Sequence, residues 1–186
     1  PRPATVFTVH NLAYQGLFGA DTLGALGLPD ALYRFDGVEF HGHVSFMKAG
    51  LQFADAITTV SPRYAREIMT PEQGCGMDGL LRHRADRVSG ILNGVDYGVW
   101  DPATDPFVAS NFDHDRLDGK AAAKLALQRE LGLEQGADRL LFGVVSRLSD
   151  QKGLHLLPEV IDELVAAGGQ LAVLGSGEAG IEAAIQ

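Results

Sequence analysis

Cysteine is almost absent from this 186-residue chain, in which Cys75 is the only thiol. A single cysteine excludes a framework of internal disulfides and fits a reducing compartment, so we expect a cytoplasmic protein. Basic residues are also scarce, because 15 lysines and arginines stand against 24 acidic residues and the net charge is −9. Nucleic-acid binding through dense Lys and Arg contacts is therefore not expected. No apolar run approaches the roughly 18–20 residues that span a bilayer, so no membrane-spanning segment is expected.

Convincing metal-ligand spacing is missing too. His41 and His43 form an H-x-H with Glu39 nearby, but no further ligand follows at a suitable distance in the sequence. The segment 113–115, "DHD", resembles the D-x-D with which some glycosyltransferases hold a metal. It follows no apolar strand, so we interpret it as a solvated part of a linker. The sequence thus predicts no metal site.

Short apolar runs alternate with helical patterns along the chain. A helix over 120–131 is predicted with Asp118 as its cap and Gly132 as its stop. The run over 139–146 is continuously apolar, which is typical of a parallel strand covered on both faces. Alternating strands and helices with short loops indicate an α/β architecture with parallel sheets. The predicted strands are 5–9, 56–60, 88–92, 139–146 and 170–175.

Residues 93–118 interrupt this alternation. They are rich in Asp, Asn, Gly and Pro and show no periodic apolar pattern, so we interpret them as a connection between two α/β units. Pro1 is not a natural first residue, and the last residues predict a helix that has only begun. We therefore expect the chain to be an internal part of a longer protein.

In open α/β sheets, ligands gather at the carboxyl ends of the strands. Arg147 follows a predicted buried strand, and Lys152 lies beside Gly153 at a predicted helix start, which suits a diphosphate. The alternative is a solvated arginine and lysine. His10 ends the first strand, where it either serves a sugar or acid–base chemistry, or is structural.

The glycines of "LGSGEAG" spell G-x-G-x-x-G with Gly175, Gly177 and Gly180. This pattern leaves a nicotinamide- or flavin-dependent oxidoreductase open, although such an enzyme needs an acidic residue about 20 positions further on. The glycines also follow the second predicted strand of their unit and not the first. A noncatalytic carbohydrate-binding protein is a further alternative, in which binding would not depend on Arg147 or Lys152.

Five segments occur in the order "HNLAYQGLF", "FMKAGLQFADAITTVSP", "GMDGLL", "LNGVDYGVWDPATD" and "VVSRLSDQKG". In this combination the chain resembles bacterial-type glycogen synthases and plastid starch synthases over about residues 5 to 178. The resemblance implies a GT-B fold of two Rossmann-like domains with the active site in the cleft between them. Residues 1–92 would be the latter part of the N-terminal domain, 93–137 the crossover and a helix, and 138–186 the start of the C-terminal domain.

The implied reaction transfers glucose from ADP-glucose to the 4-OH end of an α-1,4-glucan such as glycogen, with retention and without a metal or other cofactor. The preference for ADP-glucose over UDP-glucose rests on the resemblance alone. The Lys-Thr-Gly-Gly-Leu motif of the family and its downstream Glu-containing motif are absent from the 186 residues. We therefore expect this polypeptide by itself to be inactive.

The resemblance also implies roles for individual residues. Arg147 and Lys152 would hold the nucleotide diphosphate and stabilise the charge on departing ADP. His10 would line the glucosyl pocket, and Asn93 would lie near the transferred sugar. The remaining implied residues are Gly175, Ser176 and Gly177 in the nucleotide pocket, with Asn11, Tyr14 and Gln15 beside the sugar or acceptor, whereas Gly180 is expected to be incidental.

Overall fold

The computed structural model describes residues 2–185, and the chain divides into two compact units, Pro1–Val95 and Asp96–Gln186. Each unit has its own parallel sheet flanked by helices, which confirms the predicted α/β class. The first unit contains, in chain order, β1 (Val6–Val9), β2 (Leu17–Phe18), α1 (Thr22–Ala25), β3 (Glu39–Phe40), β4 (His43–Ser45), α2 (Phe46–Phe53), β5 (Ala56–Thr59), α3 (Pro62–Glu67), α4 (Asp78–His83) and β6 (Val88–Gly90). The second contains α5 (Asp118–Glu130), β7 (Leu141–Val145), α6 (Leu157–Ala166), β8 (Gln170–Leu174) and α7 (Ala179–Ile185).

The parallel sheet of the first unit has the strand order β1-β5-β6. Val6 is in register with Ala56, and Ile57 is in register with Val88. Because the three strands run the same way, their carboxyl ends share one edge of the sheet. The predicted strands were correct in kind, but β5 and β6 end at Thr59 and Gly90, before the predicted ends at 60 and 92.

Serine side chains cap the N-termini of the two helices nearest this edge. The Ser45 side chain accepts a hydrogen bond from the Lys48 amide at the start of α2. The Ser61 side chain accepts one from the Tyr64 amide at the start of α3. Pro62 occupies the first turn of α3, where its missing N–H leaves no helical bond unmade. Both caps fix a helix to the strand that precedes it.

A small antiparallel sheet in the order β2-β4-β3 was not predicted. Its strands have only two or three residues, too few for a period-two pattern to stand out in the sequence. The buried Lys48 holds the start of β3 and the segment before it, because its ammonium donates to the carbonyls of Phe35 and Glu39, each at 2.5 Å. Burial lowers the pKa of Lys48, which Glu39 and Asp36 partly oppose.

The core of the first unit lies between its parallel sheet and the helices. Each fully buried Leu, Ile or Met side chain there contributes roughly 1.5–3 kcal/mol relative to exposure. A smaller cluster of Leu23, Val38 and Val44 lies under the antiparallel strands. The main cluster comprises Val9, Leu12, Leu51, Ile57, Ile68, Met77 and Leu81. It includes residues on both sides of His10 and Asn11, so this segment is anchored at both ends.

The opposite edge of the first sheet is closed by an exposed ion pair. The Arg2 guanidinium lies 2.6 Å from the Asp55 carboxylate, which also accepts hydrogen bonds from the Thr5 amide and hydroxyl. Hydrogen bonding from Arg2, followed by that from Thr5, lowers the pKa of Asp55 to about 2. These contacts join the approaches to β1 and β5 at the amino ends of the strands.

In the second unit, β7 and β8 pair in parallel, with Leu141 in register with Gln170 and Val145 with Leu174. The expectation that the strand over 139–146 is covered on both faces is wrong for this structure. Phe142 and Val145 are exposed, Val145 to 81%. Among the described residues β7 pairs with β8 alone, and the elements that pack on this two-stranded sheet leave both side chains exposed.

Helix α5 begins one residue earlier than a cap at Asp118 requires. Leu117 is the N-cap, without a side-chain hydrogen bond, and Asp118 is the first helical residue. The acidic side chain thus lies in the first turn, where a negative charge interacts favourably with the positive end of the helix dipole. The stop at Gly132 is confirmed, because its φ of +67° is the left-handed conformation that glycine adopts at helix ends.

Buried amides join α5 to β8 inside the second unit. The Gln128 side chain is fully buried and donates to the Gln170 side chain at 2.6 Å. Gln170 in turn donates to the Glu134 carbonyl at 2.7 Å. These hydrogen bonds offset the free-energy cost of burying the polar amide groups. Leu148 and Ile181 are the buried apolar residues nearest the carboxyl end of the sheet.

Candidate functional site

The first half of the candidate site is the carboxyl edge of the β1-β5-β6 sheet. His10 follows β1 directly and is exposed. Asn93 is also exposed and lies three residues beyond β6, after an Ile91 amide that still bonds to the Thr59 carbonyl at 2.7 Å. Because β5 separates β1 from β6, residues at these two strand ends are spaced by about 10 Å, two strand widths. The structure places His10 and Asn93 at one edge without joining them.

The segment after β1 folds back through its own polar groups. The Asn11 side chain accepts a hydrogen bond from the Ala13 amide at 3.0 Å, an Asx turn. Two residues that the sequence did not single out hold the backbone on either side. Thr59 donates from its hydroxyl to the Val9 carbonyl at 2.8 Å, and the Tyr64 hydroxyl accepts from the Leu12 amide at 3.0 Å.

Tyr14 and Gln15 end this segment, which we call the 10–15 loop. The Tyr14 side chain is exposed. The Gln15 side-chain amide donates to the Cys75 carbonyl at 2.7 Å, and the Gln15 carbonyl accepts from the Ser45 hydroxyl at 3.0 Å. Gln15 thus connects the 10–15 loop to α2 and to the glycine-rich loop at 74–76.

The second half is the carboxyl edge of β7 and β8. Pairing continues past the regular strands, since the Ser146 amide donates to the Leu174 carbonyl and the Leu148 amide to the Ser176 carbonyl. Arg147 lies between these two bonds and is exposed. The backbone ladder therefore brings Arg147 next to Gly175, Ser176 and Gly177, as the sequence predicted for neighbouring strand ends.

The two glycines of this edge are required by the backbone of the neighbouring strand. A Cβ on Gly175 would lie 1.8 Å from the Ser146 carbonyl oxygen, and one on Gly177 would lie 2.1 Å from that of Leu148. A Cβ on Gly180 would meet nothing within 4 Å. The sequence suggested a close approach to a ligand, whereas the approach that the structure shows is to the protein's own chain. Contact with a nucleotide stays a prediction.

Lys152 does not lie at the start of an α-helix, contrary to the expectation from the sequence. It ends a 3-10 turn over Asp150–Lys152, and α6 begins only at Leu157. Gly153, with φ of +72°, breaks the helical path between them. The turn is fixed to the other strand end, because the Asp150 amide donates to the Glu178 carboxylate at 3.1 Å.

Two backbone amides at this edge donate hydrogen bonds to carboxylate side chains. Besides Glu178, the Glu182 side chain accepts from the Gly177 amide at 2.6 Å. Neither contact was predicted, and no sequence pattern marks them except the position of both residues around the first turn of α7. Arg147 and Lys152 are exposed along the same segments, and cationic side chains of this kind bind anionic oxygen atoms.

One group of possible metal ligands lies close together among the described residues, with Asp113, His114 and Asp115 within 4.8 Å of one another. The Arg116 guanidinium donates to the Asp113 carboxylate at 2.8 Å, and this hydrogen bond is the main cause of a lowered pKa at Asp113. The same carboxylate accepts from the amides of Asp115 and Arg116. It closes a turn of the connecting segment, so we retain the interpretation as a linker.

A groove of about 670 Å³ lies elsewhere in the second unit, along α5 and the amino end of β7. It contains none of the residues predicted for the site, and its lining is mainly apolar.

No helix among residues 2–185 is long and apolar enough to cross a membrane.

Comparison with known proteins shows which family the chain resembles. Residues 1–83 match the family described as the starch synthase catalytic domain. The chain is 60% identical over 182 residues to the glycogen synthase of Albidiferax ferrireducens, covering 98% of this chain and 37% of that protein. It is 55% identical over 186 residues to the glycogen synthase of Rhodopseudomonas palustris (strain BisA53), covering 100% and 38%. This chain belongs to the glycogen and starch synthase family.

A solved structure agrees with this membership. The catalytic domain of starch synthase IV from Arabidopsis thaliana, bound to ADP and acarbose, is 39% identical to the chain. The match has a TM-score of 0.90 and covers 97% of this chain and 38% of that one. The expected fold of Rossmann-like parts is thereby confirmed, and the oxidoreductase alternative finds no support. This member of the family spans a little over a third of the length of the relatives it matches.

Proposed function

We propose that the protein expressed from the complete gene transfers glucose from ADP-glucose to the non-reducing 4-OH end of an α-1,4-glucan, with retention at the anomeric carbon. The observation that carries this proposal is the position of Arg147 beside the glycine turn, at the carboxyl end of a parallel strand pair. It occurs in a chain whose similar proteins are named glycogen synthase and whose structural match is bound to ADP and acarbose.

In the proposed reaction the second unit binds the nucleotide. Arg147 grips the diphosphate with its planar guanidinium, and Lys152 adds a point charge. Both stabilise the charge that develops on departing ADP, with Gly175, Ser176 and Gly177 beside the nucleotide.

The first unit takes the sugar in this proposal. His10 lines the glucosyl pocket, and Asn93 lies near the transferred glucose. Asn11, Tyr14 and Gln15 border the sugar or the acceptor. The exposure of His10, Tyr14 and Asn93 at a strand edge supports these roles, since a ligand has direct access to all three. No metal or other cofactor takes part.

The proposal extends to the organisation of the protein. We assign residues 1–92 to the acceptor-side domain, 93–137 to the crossover and its helix, and 138–186 to the start of the nucleotide-binding domain. The division of the contacts after Val95 supports the first boundary. We also propose a cytoplasmic location, because the chain has a single cysteine. The proposed partners are ADP-glucose and glycogen, and neither nucleic acid nor a membrane is among them.

Titration calorimetry with ADP and NADH tests the nucleotide site on the protein expressed from its complete gene. We expect ADP to bind much more tightly than NADH, because the terminal phosphate of ADP is free and carries more charge for Arg147 and Lys152 than the diphosphate of NADH, which is esterified at both ends. In the double variant Arg147→Ala/Lys152→Ala, we expect affinity for ADP to fall at least about tenfold per lost charge-assisted contact.

The matched control is Arg129→Ala, which removes an exposed arginine on α5 whose guanidinium contacts Gln135. It should bind ADP as the unmodified protein does. NADH binding as tight as that of ADP, or ADP binding that is the same in the double variant, would contradict the assignment.

A further inference from the structure

The backbone on either side of His10 and Asn11 is fixed by two hydroxyl groups from neighbouring elements. Thr59 donates to the Val9 carbonyl, and the Tyr64 hydroxyl accepts from the Leu12 amide at 3.0 Å. We propose that Tyr64 is a positioning residue, whose hydroxyl sets the place of His10 and Asn11 at the sugar-binding edge. This inference rests on the proposed function, in which His10 lines the glucosyl pocket.

The two residues between these bonds have little else to hold them. His10 is exposed and lies outside regular structure, and the Asn11 side chain is used within its own turn. Val9 and Leu12, in contrast, are fully buried. A loop residue of this kind takes its position from the anchors at its ends. The Thr59 bond fixes the first anchor as part of the sheet, and the Tyr64 bond fixes the second.

Tyr64 is well suited to act as an anchor because it is itself held in place. Its amide donates to the Ser61 cap at 2.9 Å, so it lies in the first turn of α3, directly after β5. Its ring packs against the main core cluster of the first unit. The hydroxyl therefore reaches the Leu12 amide from a rigid element, across 52 positions of sequence.

Removing the hydroxyl while keeping the ring leaves a buried amide without its partner. Tyr64→Phe preserves the packing on the core but deletes the acceptor for the Leu12 N–H, which then moves toward water or another acceptor. Because Leu12 is joined to His10 through Asn11 alone, a movement of that amide displaces the imidazole. A displacement of about 1 Å at a reacting group costs up to roughly 10²-fold in rate.

The test uses the protein expressed from its complete gene, with steady-state transfer of glucose to glycogen as the first readout. We expect Tyr64→Phe to lower kcat by roughly 10- to 100-fold, with little change in the KM for ADP-glucose. The control is Tyr33→Phe, because the Tyr33 ring also packs against a core cluster, that of Leu23, Val38 and Val44. It should leave kcat unchanged.

A double-mutant cycle with His10 separates positioning from general damage. If Tyr64 acts through His10, Tyr64→Phe causes no further loss in a His10→Ala background. The same loss in both backgrounds would overturn the inference.

Amide hydrogen exchange at Leu12 gives a readout that does not need activity. We expect about fivefold faster exchange in Tyr64→Phe, because a single hydrogen bond contributes roughly 1 kcal/mol. Unchanged exchange overturns the inference, whether or not the protein transfers glucose. If the unmodified protein transfers none, the proposed function fails, and the exchange rate still decides whether Tyr64 fixes the loop.

Discussion

Arg147→Ala is expected to lower the rate of glucose transfer from ADP-glucose by roughly 10²–10³-fold. Charge builds up on the diphosphate as the glucosyl bond breaks, and a preorganised cation stabilises that charge more than it stabilises the bound donor. Arg147 is preorganised through its backbone, because the amides of Ser146 and Leu148 on either side of it are bonded to β8 and the loop after it. Initial-rate measurements with glycogen as acceptor check this expectation.

Arg147→Lys refines the same experiment. Lysine keeps the charge but loses the planar fork that bonds two phosphate oxygens, so we expect a rate between those of the alanine variant and the unmodified protein. Arg129→Ala, on α5, should show the unmodified rate. Because Arg147 is exposed, we expect the midpoint of thermal unfolding to stay nearly the same in each variant. A fully active Arg147→Ala variant would show that the diphosphate binds elsewhere.

Gly175→Ala is expected to lower the free energy of unfolding by about 3 kcal/mol, the upper part of the usual range for overpacking. The added Cβ would lie 1.8 Å from the Ser146 carbonyl oxygen, and neither atom belongs to a flexible side chain. The strand ends must therefore separate, which also breaks the bond between the Ser146 amide and the Leu174 carbonyl. We expect ADP binding to weaken together with stability, since Arg147 follows Ser146 in the same ladder.

Gly180→Ala is the matched control for this substitution. A Cβ at Gly180 meets nothing within 4 Å, and the residue lies in α7, where alanine is favoured over glycine by about 1 kcal/mol. Chemical denaturation of the two variants should therefore show opposite effects on stability. Equal stability of Gly175→Ala and the unmodified protein would mean that the two strand ends are further apart than described.

Local sequence patterns predicted most of the regular structure. The stop at Gly132 follows from a short-range rule that depends on a few neighbouring residues. The short antiparallel strands were not predicted, because they depend on which segments pair with each other. The exposure of β7 was not predicted, because it depends on which elements pack against the faces of its sheet. Periodicity describes the environment of a strand only when its partners are known.

In the candidate site, too, local sequence patterns predicted some features, and contacts between distant residues were missed. The sequence predicted which residues follow each strand, and the structure places Arg147 beside Gly175 as expected. The contacts of Tyr64 with Leu12 and of Glu182 with Gly177 were missed, since each involves a side chain whose local pattern is ordinary. The reason for the glycine pair also changed, from approach to a ligand to approach between two strands.

The most direct test of the account is glucose transfer by the protein expressed from its complete gene. Labelled ADP-glucose and UDP-glucose are supplied in parallel with glycogen, and the new linkage is identified by enzymatic digestion. We expect label from ADP-glucose in α-1,4-linked glucose at the chain ends, with no metal added and with strong dependence on Arg147. A pure, folded protein that binds glycogen but transfers no glucose from either donor would contradict it.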